Sequence, residues 1–191
     1  MKIWRKESIF FLLMLIPAVL VGTGIACADE KTEKRKYPIP SHGVLELNTP
    51  VSWKAKTHKP QENMPPIMIF NPATGTDFQV TIMVSSGKKG EVSFNSAEKV
   101  KSLLEKEGQQ LLPRITETKL VLKEMTGNDH TGSYFTATDK NVDPGEYRYM
   151  TRAGIGVGDL LVLATILHRV KDSGAVKATL SMLREAKQSP K

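Results

Sequence analysis

The sequence predicts an α+β fold in which a central antiparallel β-sheet is flanked by two helices. Two segments have helical spacing, and they are far apart in the chain, with several strand-like segments before and between them. Short turns join most of the strand-like segments. Such turns connect antiparallel neighbours, because a parallel connection needs a crossover of a dozen or more residues. The chain of 191 residues is long enough for one domain with a hydrophobic core.

The first strands precede the first helix. Residues 43–56 are expected to contain two short strands, and residues 66–73 a third that ends at an Asn-Pro turn. The segment "DFQVTIMVSS", residues 77–86, alternates between apolar and polar side chains. This alternation is typical of a strand with one buried face, here formed by Phe78, Val80, Ile82 and Val84.

Two segments have the spacing of amphipathic helices. In residues 95–112 the apolar side chains recur three and four positions apart, and Pro113 ends the segment. Asn95 and Glu98 are spaced as an N-terminal capping box, in which each side chain bonds the backbone N–H of the other residue. Residues 172–186 predict the second helix, which closes the domain.

Four further strands are expected between the helices. The segments "TKLVLKEM", "GSYFTATD" and "EYRYMTRAGIG" precede "LLVLATILH", residues 160–168. The last segment is apolar at nearly every position, which indicates a central strand covered on both faces. Along "EYRYMTRAGIG" the side chains of Arg148, Met150 and Arg152 share one face. Arg and Met are favoured at interfaces, so these three are candidate partner-binding residues. The alternative is a solvated or helix-covered sheet face.

The order of these segments resembles the PsbP-like family. The resembling stretches are "LELNTPVSW", "FQVTIMV", "GSYFTAT" and the hairpin "EYRYMTRAGIGVGDLLVLATIL" with its closing helix. The resemblance implies a PsbP-like α/β/α sandwich over residues 44–187. It also implies a non-catalytic assembly or stabilisation factor that binds protein partners, and it brings no catalytic motif and no cofactor.

The first 28 residues have the three parts of a bacterial secretory signal peptide. A basic start is followed by an apolar run and then by small residues. Ala26 and Ala28 form an A-x-A cleavage site, so the mature chain is expected to start at Asp29 in the periplasm or outside the cell. The alternative is lipidation at Cys27, which makes the protein a membrane-anchored lipoprotein. Gly24 favours the first reading, because that lipobox position normally holds a larger apolar side chain.

Residues 29–43 are charged and then interrupted by prolines, so they are expected to form a linker. The alternative for this segment is a first strand at residues 37–39. The formal net charge is +7, which favours contact with anionic surfaces or is a solubility feature. No strand interleaves aromatic and basic residues in the way that stacking on single-stranded bases requires, so nucleic-acid binding is not expected.

The stretch "DKNVDPGE", residues 139–146, resembles the start of a calcium-binding loop. Asp139, Asn141 and Asp143 occupy the first three ligand positions of an EF-hand pattern. Pro144 stands where that loop needs glycine, and the twelfth position lacks a carboxylate. A proline followed by Gly145 favours a turn between two strands, so the three residues are only weak metal candidates.

No residue pattern in the sequence points to catalysis. The four histidines lack the spacing of a metal site, and His168 is expected at a surface edge of its strand. The serines lack a nucleophile-elbow motif. We therefore expect a non-enzymatic domain, with no cofactor, that binds another envelope or secreted protein or an envelope surface, with membrane contact only if Cys27 is lipidated. The alternatives are a small periplasmic hydrolase whose site assembles in space and a weak calcium-dependent binding module.

Overall fold

A computed structural model describes residues 30–59, 64–88, 91, 93–127 and 130–190. Ten strands, two α-helices and one short 3-10 helix, Leu112–Arg114, lie in these residues. In chain order the strands and α-helices are β1 (Thr32–Ile39), β2 (Gly43–Pro50), β3 (Trp53–His58), β4 (Ile67–Pro72), β5 (Phe78–Ser86), α1 (Ala97–Leu111), β6 (Lys123–Thr126), β7 (Thr131–Thr138), β8 (Tyr149–Val157), β9 (Leu160–His168), α2 (Gly174–Arg184) and β10 (Lys187–Ser189).

The strands form two antiparallel sheets. The larger sheet has seven strands in the order β3-β4-β5-β9-β8-β7-β6, and the smaller has three in the order β1-β2-β10. Neighbouring strands run antiparallel in both sheets. The predicted α+β class with two helices is therefore confirmed. The second sheet was not predicted, because one of its strands lies in the expected linker and another has only three residues.

The large sheet separates two hydrophobic cores. On its inner face, side chains of β4, β5, β8 and β9 pack with the small sheet and α2 to form the main core. On its outer face, α1 packs against β7 and β8 over a second, smaller core. This arrangement follows from the alternation of strand side chains, which gives each strand one row of residues for each face.

Strand β9 is the middle strand of the large sheet, as its apolar composition predicts. It pairs over its whole length with β5 on one side and β8 on the other. Val162, Ala164 and Ile166 are fully buried in the main core, while Leu161 and Leu163 belong to the second core. The continuous apolar run arises because both faces of this strand are covered.

The expectation of a linker over residues 29–43 is corrected by strand β1. This strand pairs with β2 along all eight of its residues. Its side chains of Tyr37 and Ile39 are buried in the main core, while Lys34 and Lys36 reach Glu46 on the exposed side. Tyr37 and Ile39 are the only core side chains of this strand, and both lie at its C-terminal end. Two apolar positions are too few to form an alternating pattern that predicts a half-buried strand.

The N-terminus of α1 is capped one residue later than the spacing predicts. The hydroxyl of Ser96 accepts a hydrogen bond from the backbone N–H of Lys99, 3.4 Å away. Asn95 is instead buried, and its amide donates to the carbonyl oxygens of Gly158 at 2.9 Å and Leu160 at 2.7 Å. Asn95 therefore ties the start of α1 to the β8–β9 turn rather than capping the helix.

The predicted signal peptide lies outside the described residues. The signal peptide over residues 1–28 therefore stays a prediction. So do its cleavage at the site formed by Ala26 and Ala28 and the alternative lipidation at Cys27. In the part of the chain that the structure describes, no helix is both long and apolar enough to cross a bilayer.

Candidate functional site

Helix α1 covers only part of the outer face of the large sheet. It packs against β7 and β8 through Val100 and Leu104, which contact the second core. Over β4 and β5 the same face is more open, and the side chain of Met83 on β5 is 37% exposed. We call this region the open half-face. It consists of the outward side chains of β4 and β5, which are Ile67, Ile69, Asn71, Gln79, Thr81, Met83 and Ser85.

An apolar groove of about 430 Å³ lies at one end of the open half-face. The segment before β4 forms one wall, and β5 and β9 form the other. Met64 in this segment is 45% exposed, although methionine is usually buried. The apolar groove is lined chiefly by Met64, Pro65, Pro66, Ile67, Met83 and Leu163.

The charged side chains of the edge strand beside the open half-face are basic. Strand β3 is the edge strand of the large sheet, and Lys54 and Lys56 lie on its exposed side. In the strand register Lys54 is opposite Asn71, and Lys56 is opposite Ile69. Strands β3, β4 and β5 contain no aspartate or glutamate. The open half-face therefore combines apolar groups with a basic edge.

The predicted partner-binding row of Arg148, Met150 and Arg152 does not form one exposed strip. Arg152 is only 8% exposed and lies under α1, where its guanidinium bonds Glu107 and Thr165. Met150 packs against the second core, while Arg148 is exposed just before β8. The prediction is corrected for Arg152, because the helix covers this face of the sheet.

The weak calcium candidates lie in a loop that is held by its own hydrogen bonds. The Asp139 carboxylate accepts from the backbone N–H of Asn141 at 2.9 Å, which is an Asx turn. Asp143 accepts through its carbonyl oxygen from the N–H of Glu146 at 3.0 Å. Gly145 has a φ of +91°, as the predicted turn requires. Within the described ranges, no three His, Cys, Asp or Glu side chains are grouped as a metal site.

His168 is fully buried, so the expected position at a surface edge is wrong. Its Nδ1 donates to the carbonyl oxygen of Val170 at 2.7 Å, and the hydroxyl of Thr151 lies 3.2 Å from Nε2. The ring also stacks on Tyr149, with 5.5 Å between ring centroids. Burial lowers the pKa of His168 against the opposing effect of its bond to Val170, so the ring is neutral at neutral pH.

The other histidines lie in two different places. His58 ends the exposed edge strand β3. His42 and His130 line one cleft on the other side of the molecule, where Nδ1 of His42 is 2.9 Å from the carboxylate of Asp159. The sequence holds no sign of this pair, because 117 positions separate the two residues.

The chain matches no protein-family profile, and its sequence matches no curated protein. The solved structures that are similar to it include two whose likeness covers more than four fifths of this chain. One is cyanobacterial PsbP (CyanoP) from Synechocystis sp. PCC 6803, with 13% identity over 88% of this chain and 96% of that chain, and a TM-score of 0.48. The other is a protein from Bacteroides thetaiotaomicron, with 13% identity and a TM-score of 0.47. The likeness to that protein covers 82% of this chain but only 49% of the other. These likenesses are too distant to carry an argument about function, and the PsbP-like resemblance stays a prediction.

Proposed function

We propose that this chain is a non-enzymatic periplasmic or secreted domain that binds another protein through the open half-face. The observation that carries the proposal is the exposure of Met83, at 37%, on a sheet face that α1 leaves partly uncovered. Exposed apolar side chains that form one patch mark interaction sites more often than isolated ones do. Here Met64, Ile67 and Met83 line the same apolar groove.

The chemistry of the surface favours an acidic and apolar segment of the partner. Lys54 and Lys56 border the apolar side chains, and the three strands of this region carry no carboxylate. A partner with Asp or Glu beside apolar residues matches both features, and opposite charges raise the association rate. Methionine side chains adapt their shape to a partner, which suits Met64 and Met83 to this role.

A protein partner fits this surface better than a membrane does. The apolar groups line a concave groove, which accepts a side chain from a partner. Peripheral membrane binding instead uses apolar side chains that protrude into the lipid, commonly with aromatic residues among them. Among the residues that the structure describes, no Trp, Tyr or Phe lines the groove.

The alternative of a small hydrolase has less support. The cleft contains a hydrogen-bonded His–Asp pair, His42 and Asp159, which are the residue types that accompany the serine in a catalytic triad. Two serines, Ser41 and Ser189, line the cleft, but neither takes the place of a nucleophile beside His42. Ser189 bonds Glu46, and Ser41 precedes His42 in a tight turn. Among the described residues no serine hydroxyl bonds the ring of His42.

The proposed location rests on residues 1–28. Their basic start, apolar run and small-residue end direct the chain out of the cytoplasm, and cleavage after Ala28 releases it. The binding partner is accordingly another envelope or secreted protein.

Site-specific crosslinking in the native host tests the proposed function. A photo-reactive amino acid replaces Met83 in one variant and Val121 in a control. Val121 is 61% exposed and lies beside β6, at the opposite edge of the large sheet. We expect a crosslinked protein of defined mass from position 83 and none from position 121.

The captured protein is then purified, and its binding is measured directly. We expect Met83→Glu to weaken binding by at least tenfold, since it places a charge in an apolar interface, and Val121→Glu to leave it unchanged. Binding is also expected to weaken as salt is added, because the lysines contribute. Equal binding by both variants, or crosslinking to lipid alone, would overturn the proposal.

A further inference from the structure

Two turns and strand β10 meet in a cleft on the side of the molecule that carries the small sheet. His42 lies between β1 and β2, Asp159 between β8 and β9, and Gln188 on β10. The Gln188 amide donates to the carbonyl oxygen of His42 at 2.6 Å and to Oδ1 of Asp159 at 2.5 Å. The backbone N–H of Asp159 donates to Oε1 of Gln188 at 2.9 Å. The cleft between these turns has a volume of about 730 Å³.

The ring of His42 is held in one orientation. Its Nδ1 donates to Oδ2 of Asp159 at 2.9 Å, and its side chain is only 10% exposed. An imidazole that donates through Nδ1 has Nε2 left for another partner. The ring is therefore fixed before any ligand arrives, which lowers the entropy cost of binding.

Glycines allow the two turns and β10 to approach closely. Gly43 and Gly158 both have positive φ, at +81° and +60°. A side chain on Gly43 meets the backbone of Ser189, and one on Gly158 meets the amide of Gln188. The positions of the His42 ring and the Gln188 amide thus depend on backbone packing as well as on hydrogen bonds.

The groups that line the cleft suit an anion. His42, His130 and Lys187 are its basic side chains. Among the described residues of the lining, Asp159 is the only carboxylate, and both of its oxygens are engaged, by Gln188 and His42. Burial on its own raises the pKa of Asp159, but these bonds outweigh burial and hold the pKa below its usual value.

We propose that this cleft binds a phosphate group, with His42, His130 and Lys187 as its donors. The three donors come from the β1–β2 turn, the residue before β7, and β10, and all three residues line the cleft. A tetrahedral phosphate accepts hydrogen bonds from several directions at once, and charged donors make these bonds strong. The positive charge of the Lys187 ammonium disfavours the binding of a metal cation in this cleft.

The cleft, at about 730 Å³, has room for a ligand that carries the phosphate on a larger body. That body is either a small phosphorylated molecule or the headgroup of a phospholipid, and both offer the same chemistry to the three donors. The charged groups near His42 are Asp159, His130 and Lys187, with Glu46 reached through the Ser189 hydroxyl.

The test uses variants that leave the hydrogen-bonded frame intact. His42→Asn retains an N–H donor near the position of Nδ1 for Asp159 and removes Nε2 from the cleft. Lys187→Ala removes an exposed ammonium. Lys56→Ala, on the open half-face, is the matched control for loss of one positive charge.

Inorganic phosphate is titrated into each protein at one fixed pH in the presence of EDTA, with binding followed by NMR shifts of cleft residues. We expect saturable binding in the millimolar range. His42→Asn and Lys187→Ala are expected to weaken it about tenfold, the effect of one lost charged hydrogen bond, and Lys56→Ala to leave it unchanged.

Vesicles distinguish the two sources of phosphate. Co-sedimentation with phosphatidic acid in phosphatidylcholine, but not with phosphatidylcholine alone, identifies a lipid headgroup when Lys187→Ala abolishes it. Phosphate binding without co-sedimentation identifies a small phosphorylated molecule. The proposal is overturned if phosphate produces no saturable shift and the vesicles bind no protein. It is also overturned if the two cleft variants bind as tightly as the parent.

Discussion

Arg152 on β8 donates two hydrogen bonds to the carboxylate of Glu107 on α1, with Nε–Oε2 at 2.8 Å and Nη2–Oε1 at 3.1 Å. A third bond runs from Nη1 to the hydroxyl of Thr165 on β9, at 2.8 Å. The guanidinium therefore joins α1 to two strands of the large sheet. It lies at the border between the covered part of the outer face and the open half-face, and it helps to hold α1 in that position.

Replacement of Arg152 with Met is expected to destabilise the fold by about 2 kcal/mol. Loss of one partner of a buried pair typically costs about 3–5 kcal/mol, and the cost is smaller here because Glu107 stays partly hydrated. Chemical denaturation measures the change. Arg148→Met is the control, since Arg148 is exposed, and we expect no measurable effect from it. Equal stability of the two variants would show that the ion pair contributes nothing.

Stability is expected to fall as the pH drops below about 6.5, the usual histidine pKa, because of His168. Burial lowers the pKa of His168 in the folded protein, so the unfolded chain takes up the proton first. The unfolded state binds more protons over this interval, and the free energy of unfolding decreases with decreasing pH. Melting temperatures at a series of pH values measure the slope.

His168→Asn keeps a donor for the carbonyl of Val170 and removes the titrating ring. We expect this variant to be less stable at neutral pH but to show a flatter pH dependence than the parent. His58→Asn, on the exposed end of β3, is expected to keep the parental slope. A slope that His168→Asn leaves unchanged would assign the acid lability to another group.

Gly156→Ala is expected to destabilise the protein by more than about 1 kcal/mol, as overpacking in a close contact does. A Cβ at position 156 collides with the backbone carbonyl of Asn95, whose side chain bonds the β8–β9 turn. Gly174→Ala is the matched control, because a Cβ there meets no atom within 4 Å and alanine favours the helix. Thermal melting compares the two, and a neutral Gly156→Ala would contradict the close contact.

Calcium is expected to have almost no effect on stability. The Asp139 carboxylate stabilises the turn by accepting a hydrogen bond from the backbone N–H of Asn141. An asparagine at position 139 accepts the same hydrogen bond. The double variant Asp139→Asn, Asp143→Asn should therefore melt like the parent, with or without calcium in the millimolar range of weak extracellular sites. A rise in melting temperature with calcium that the double variant abolishes would establish a calcium site.

The mature chain is expected to begin at Asp29. Intact mass of the protein made in its native host should equal that of residues 29–191 without adduct. A membrane-bound species that begins at Cys27, with a mass that changes on Cys27→Ser, would instead establish lipidation. The acyl chains would then anchor the domain, since each buried methylene adds about 0.8 kcal/mol of membrane affinity.

The sequence by itself determined the elements whose pattern comes from burial. Strand β5 alternates because one of its faces is in the main core, and β9 is apolar throughout because both of its faces are covered. Each of the two helices shows the spacing of its own apolar face. Such patterns are local: they repeat within a few residues, so a single stretch of chain contains the whole signal.

Only the tertiary structure decided which surfaces are covered and which residues meet. Arg152 is buried because α1 lies over it. The residues next to it on β8 do not predict that a helix covers this face. Strand β1 is held in the small sheet by its pairing with β2 and by the burial of two of its side chains. The cleft brings together His42 and Asp159, 117 positions apart, and Gln188, a further 29 positions along. Contacts of this kind depend on how the elements pack, and neither residue of a distant pair carries a local pattern that marks its partner.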